Sequence, residues 1–202
     1  MYGLPDKTII NKPLYKKAVF EKFNLKAADR DRFDADISKM HILAWVSSQR
    51  LHALSDTGEV KEFYVMLLEM KHQSCAEQNL QLLQRNIGRK MLFALQYENE
   101  TQLCLFHNRW LCTVWKPTEE MTIPLKGLSI DDAWRNIVAE IGDLDTFSNQ
   151  SLEEQIENNA HREKLQKQIE ILEKQMRREK QTRRKFELHQ RILKLKEELH
   201  EE

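Results

Sequence analysis

EFYVMLLEMKHQ, residues 62–73, carries six apolar or aromatic side chains in succession: Phe63, Tyr64, Val65, Met66, Leu67 and Leu68. A run of that kind has no polar face, so it predicts a central strand over residues 60–71, covered on both sides of a sheet. The run ends in Glu69-Met70-Lys71. Residues two apart on a strand point to the same face, so Glu69 and Lys71 are neighbours there. Acid, spacer and lysine at the end of a buried strand is also how many metal-dependent nucleases hold magnesium. The carboxylate binds the ion, and the ammonium positions the attacking water or offsets charge at the phosphate. Such chemistry needs a second carboxylate from upstream. Asp56, in the turn Ser55-Asp56-Thr57-Gly58, is the better placed, because Asp34 and Asp36 fall on a predicted helix. The order of helix, three strands, helix and strand expected of such an enzyme is poorly matched, since one convincing strand precedes residue 60. A two-residue signature recurs often by chance, so the favoured reading of Glu69 and Lys71 is the solvated end of a buried strand.

Around that strand the pattern is mixed. Pro13 suits a first helical turn and predicts a short helix over residues 14–23. Phe33, Ile37 and Met40 recur at helical spacing and predict a second helix over 27–37, followed by a strand over 40–46. Ser74-Cys75-Ala76-Glu77 reads as a capping box opening a third helix, with Leu80, Leu83 and Ile87 inward and Gly88 as its left-handed stop. A strand over 91–97 then makes a β-α-β crossover with the central run. Residues 102–106 and 110–115 extend it as an antiparallel meander. Ser129-Ile130-Asp131-Asp132 opens a fourth helix that Gly142 ends. The expectation is an α+β domain over residues 1–147, with a mixed sheet of about five strands and flanking helices.

Composition bounds what such a chain does. Its 202 residues are 41% hydrophobic and 32% charged, with 32 basic and 32 acidic side chains and no net charge. A general polyanion binder carries a basic surplus, so any contact with nucleic acid must come from a local patch. Three cysteines, Cys75, Cys104 and Cys112, lack Cys-x-x-Cys spacing. That speaks against a disulfide framework or zinc site and for a reducing, cytoplasmic setting. No run approaches the roughly 20 apolar residues of a membrane span, and MYGLPDKTII lacks the plan of a signal peptide. The histidines, His41, His52, His72, His107, His161, His189 and His200, form no i, i+4 pair, so no metal site is assigned. Cys75, at a helix start where a thiolate is stabilised, has no base nearby and reads as structural. No cofactor is expected apart from magnesium under the nuclease reading.

All five glycines and all four prolines precede residue 143, and the last 60 residues have neither. This shift marks a boundary with a linker near residues 144–150 and a second domain over 148–202. Ser151-Leu152-Glu153-Glu154 is another capping box. Leu165, Ile169, Leu172 and Met176 step by four, three and four, and Leu188, Ile192, Leu195 and Leu199 repeat those steps. The two sets are symmetrical about residue 182. Folding back there matches every apolar layer with another, giving an antiparallel helical hairpin, a coiled coil with arms of about 25 Å. An antiparallel homodimer of unbroken helices would use the same symmetry, but an intramolecular partner has the higher effective concentration. At the turn, Arg177, Arg178, Lys180, Arg183, Arg184 and Lys185 face a single acid, Glu179. Six close cations suit phosphates or an acidic protein surface. A solvated tip, with basic residues complementing helix dipoles, explains them about equally well.

LPDKTIINKPLYKKAVFEKF, FDADISKM, FYVMLLEMK, MLFALQYENETQL and EKQTRRKFELHQRILKLKEEL together resemble a bacterial family known as domain of unknown function 4391. The resemblance spans nearly the whole chain and rests on hydrophobic pattern plus the basic tip. It implies a gene beside DNA methyltransferases and helicases in restriction-like, anti-phage defence loci. It also implies relatives with a glutamine-like residue where Glu69 stands, which weakens the nuclease reading. The leading expectation is a non-catalytic accessory or scaffolding subunit. Its hairpin would dock a helicase, a methyltransferase or DNA. The alternatives are a magnesium-dependent nuclease using Asp56, Glu69 and Lys71, and a stand-alone nucleic-acid-binding protein.

Overall fold

A computed structural model of the chain describes residues 1–145 and 150–201, so most of the expected linker lies outside the described residues. The chain divides into two compact units, Met1–Thr146 and Phe147–Glu202. The first is α+β, built in the order β1 (Ile9–Pro13), α1 (Lys16–Lys22), α2 (Ala27–Asp36), β2 (Ile37–Ser47), β3 (Glu62–Met70), α3 (Glu77–Ile87), β4 (Met91–Tyr97), β5 (Glu100–His107), β6 (Arg109–Cys112), β7 (Lys116–Pro117) and α4 (Ile130–Gly142). The sheet has seven strands rather than about five, ordered β1-β2-β3-β4-β5-β6, with β7 on β5. β3 and β4 run parallel, joined through α3, and the remaining neighbours are antiparallel.

The central run behaves as its composition dictates. Phe63, Val65, Met66 and Leu68 are fully buried. Alternation sends Met66, Leu68 and Met70 into a core with Phe33 of α2 and Leu80 and Leu83 of α3. Phe63, on the opposite face, meets Trp134 of α4 with ring centroids 5.2 Å apart. Helices therefore cover both sides, and a polar substitution at any of these positions would strand a group without water.

Three local expectations are corrected. Pro13 ends an edge strand instead of opening a helix; a proline costs no ladder bond where nothing lies beyond it. Ser74 does not cap α3, whose N-cap is Ala76 with no side-chain cap bond. The Ala76 N–H instead donates to the Asp36 carboxylate of α2 at 2.7 Å. Cys104 and Cys112 form a disulfide. Spacing concealed it, but they sit directly opposite in the β5–β6 register, where cross-strand Cβ atoms lie within bonding reach. The boxes at Ser129–Asp132 and Ser151–Glu154 are both present. α4 ends with Asp143 in the left-handed region at φ 51°, one residue past Gly142.

The second unit consists of α5 (Leu152–Arg178) and α6 (Thr182–Glu201), which pack against each other. Leu165, Ile169 and Ile192 are buried, at 4%, 7% and 3% exposure. Leu172, Met176, Leu188, Leu195 and Leu199 are half-buried, among mostly exposed neighbours. Glu173 meets Lys196 at 2.9 Å, and His161 lies 3.9 Å from Glu198. Lys196, by hydrogen bond and charge, holds the Glu173 carboxyl below its usual range, with Arg177 adding to it. Between the helices, Glu179 accepts the backbone N–H groups of Lys180 and Gln181 at 2.8 and 2.9 Å. A carboxylate thus closes a turn that contains no glycine or proline.

Candidate functional site

Glu69 and Lys71 sit where β3 leaves the sheet. Alternation places Glu69 on the α4 face, where its carboxylate lies 3.3 Å from Lys39 and 3.7 Å from His41, both on β2. The Lys71 ammonium donates to the carbonyl of Asp34, and its backbone N–H donates to the carbonyl of Asp36 at 2.8 Å. Asp56 is elsewhere. Its neighbour Ser55 pairs with Leu128 and Ser129, and Gly58, at φ +103°, packs so tightly on Asp131 that an added Cβ would lie 2.6 Å away. Asp131 in turn takes the Val60 N–H at 2.8 Å. The loop carrying Asp56 is therefore fixed beside the start of β3, whereas Glu69 is near its end. The seven steps from Glu62 to Glu69 alone span about 23 Å at a strand rise of about 3.3 Å. Asp56 and Glu69 do not share a site.

The sequence reading set Asp36 aside as helical; it does end α2, and it lies at the Glu69 end. It is 8% exposed and saturated. One carboxylate oxygen accepts the Ala76 N–H and the Asn79 side-chain N–H at 2.7 and 2.8 Å, and the other lies 3.3 Å from His72 Nε2. His72 Nδ1 is 2.8 Å from the Ser74 hydroxyl. Asp36 thus ties the end of α2, the loop after β3 and the start of α3 into one clamp. No local pattern announces it, since its partners lie 40 and 43 residues away. Beside the clamp, burial and then the Asp36 charge push the Cys75 thiol up to about 12. The expected thiolate stabilisation at this helix start is overridden by desolvation.

Among the described residues, no three His, Cys, Asp or Glu side chains are grouped to hold a metal ion. The acids at the Glu69 end are committed to cations and N–H donors and turn to opposite faces of the sheet. As arranged, they do not fit a magnesium ion.

The basic residues around the turn of the second unit fall into two groups. Arg177 lies 3.8 Å from Glu173 and Arg183 lies 3.4 Å from Glu187. Arg178 and Arg184 instead line a concavity of about 510 Å³, together with Arg191 one heptad farther along α6. Lys180 and Lys185 are exposed and do not line it.

The first unit is thus an α+β body with a mixed seven-stranded sheet, and a pair of long helices follows it. The family described as Domain of unknown function (DUF4391) matches residues 2–199, and the chain belongs to that family. No curated protein and no solved structure matches. Among the described residues no helix is long and apolar enough to cross a membrane.

Proposed function

We propose that the chain is a non-catalytic accessory subunit of a bacterial restriction-like defence system. Its C-terminal helices act as an antiparallel hairpin that docks a helicase, a DNA methyltransferase or DNA. One observation carries this reading: every seam residue of α5 and α6 is at least half-buried, while the side chains of Arg177 and Arg183 at the turn are 74% and 93% exposed. An arm whose apolar layers are already matched has little ordering left to do when a partner arrives, which favours association. What it offers that partner is charge at its tip. Sheltering of the seam within one chain favours the hairpin over an antiparallel dimer, and sedimentation equilibrium separates the two. The decisive experiment is co-purification of the tagged full chain from its own cells, with mass spectrometry for a bound helicase or DNA methyltransferase. The wild type retains one of them, and Arg183→Glu/Arg184→Glu/Lys185→Glu releases it. Retention by the folded variant excludes the tip, and retention of neither enzyme by the wild type refutes the accessory role.

A second reading, a magnesium-dependent nuclease, draws on the strand order. Two strands, not one, precede β3, and β1-β2-β3-β4 with a crossover helix is closer to the expected plan. The engaged carboxylates speak against it. If it holds, the purified chain nicks plasmid DNA with magnesium and Glu69→Ala abolishes cutting; an inert wild type ends it.

A further inference from the structure

We infer that Arg178, Arg184 and Arg191 form one phosphodiester-binding site, through which the arm grips the backbone of duplex DNA without reading its sequence. The inference rests on the docking role proposed above and specifies its ligand. Three observations lead to it. The three guanidiniums line a single concavity, Arg178 from the end of α5 and the other two from one face of α6. Arginine presents a fork of N–H donors that matches phosphate oxygens in pairs. The carboxylates sharing the concavity are already occupied. Glu187 lies 3.4 Å from Arg183, and Glu179 accepts two backbone N–H groups while its carboxyl is held below the usual range, first by Gln181, then by Lys180 and by the charge of Arg184. Three cations therefore outnumber the two carboxylates of the lining, each of which already has a partner.

The shape selects among phosphate sources. A small phosphate ester is normally enclosed over most of its surface. Here one turn and the adjoining faces of two helices form a one-sided trough. A backbone running past it can place successive phosphates against the arginines, which a free phosphate cannot. The lining has no aromatic ring on which a base could stack, and contacts from its arginines to phosphate oxygens carry no sequence information, so this grip is independent of sequence. The chain carries no net charge, so this patch rather than the whole molecule supplies the attraction.

The test is fluorescence anisotropy of a labelled duplex titrated with the full chain across salt concentrations. Three phosphate contacts give a slope of log affinity against log salt of about −2.7. That corresponds to a loss of about forty-fold between roughly 50 and 200 mM salt. Arg178→Gln/Arg184→Gln/Arg191→Gln removes most of that slope. Lys164→Gln/Lys167→Gln/Lys174→Gln deletes equal charge from exposed positions of α5 outside both the concavity and the turn, and leaves most of the slope in place. Far-UV circular dichroism confirms that both variants stay helical. Equal losses in the two variants overturn the site in favour of bulk charge. Competition by millimolar inorganic phosphate or a mononucleotide as effective as that by unlabelled duplex overturns the backbone assignment. A wild type that binds no duplex overturns the inference outright, while the docking role still stands or falls on co-purification.

Discussion

Asp36→Ala tests whether the clamp between α2 and α3 holds the first unit together. The substitution removes the acceptor of two short bonds, from the Ala76 N–H at 2.7 Å and the Asn79 side chain at 2.8 Å. Asn79 is fully buried, so no water replaces the lost partner. Hydrogen bonds to a charged group contribute about 1.5–3 kcal/mol each, and an orphaned buried donor carries its full desolvation penalty, which together predict a loss of about 3–5 kcal/mol. All four tryptophans, Trp45, Trp110, Trp115 and Trp134, lie in the first unit, so their fluorescence reports that unit during urea unfolding. With a denaturant slope of about 2 kcal/mol per molar, the midpoint should fall by about 1.5–2.5 M. Asn79→Ala combined with Asp36→Ala should fall short of additivity by about 1–2 kcal/mol, because the orphan is then gone. A midpoint shift below about 0.3 M for Asp36→Ala, on the scale of an ordinary surface substitution, would show that the clamp is decorative.

Three further outcomes are expected. Leu165→Ala and Ile192→Ala each remove a buried seam residue and should each destabilise the second unit by about 2–3 kcal/mol; far-UV ellipticity during thermal unfolding reads this, and an unchanged transition refutes the seam. Reducing the Cys104–Cys112 bond, which closes a loop at a sequence separation of 8, should remove about 2–3 kcal/mol through added freedom in the unfolded chain. That lowers Tm by about 5–10 °C, and Cys112→Ser should reproduce the effect; a Tm indifferent to reductant contradicts it. Cys75, with its thiol pushed up to about 12, should react with iodoacetamide at pH 8 about a thousand-fold more slowly in the fold than in urea. The folded chain also keeps the Cys75 proton where the unfolded chain has lost it, so stability should fall as pH rises from about 9 toward 12. Cys75→Ala should remove its share of that fall, leaving the part above about pH 10 that comes from the raised tyrosines Tyr2, Tyr64 and Tyr97; equal alkylation rates in the two states would refute the buried environment.

How far the chain could be read in advance follows the range of the interactions. The unbroken apolar run of β3, the boxes at Ser129 and Ser151 and the two four-three-four sets of the C-terminal helices are written within a few residues of one another, and each is present. β1 was not legible, because five residues ending in Pro13 form a strand only when β2 lies alongside. The box at Ser74 failed because a carboxylate 40 residues upstream reaches the same helix start and binds its N–H first. The disulfide depended on register, which cysteine spacing does not encode. For the candidate site, the charged turn was legible as composition. Its division into paired arginines and a shared trough that includes Arg191 was not, since that depends on which helical faces meet. Asp56 looked suitable by proximity in sequence to β3, but strand direction placed it at the wrong end and put Asp36 at the right one.

On the proposed hairpin reading, the layering of α5 and α6 limits how the helix pair can change length in evolution. Adding seven residues to one helix alone would leave an apolar layer with nothing opposite it and would push the charged turn out of line. Lengthening must come as a matched pair of heptads, one on each side of Thr182, moving the arginines outward by about 10.5 Å at a time. On that reading, length variants of this region should differ by multiples of fourteen residues, with the same basic turn carried at the end.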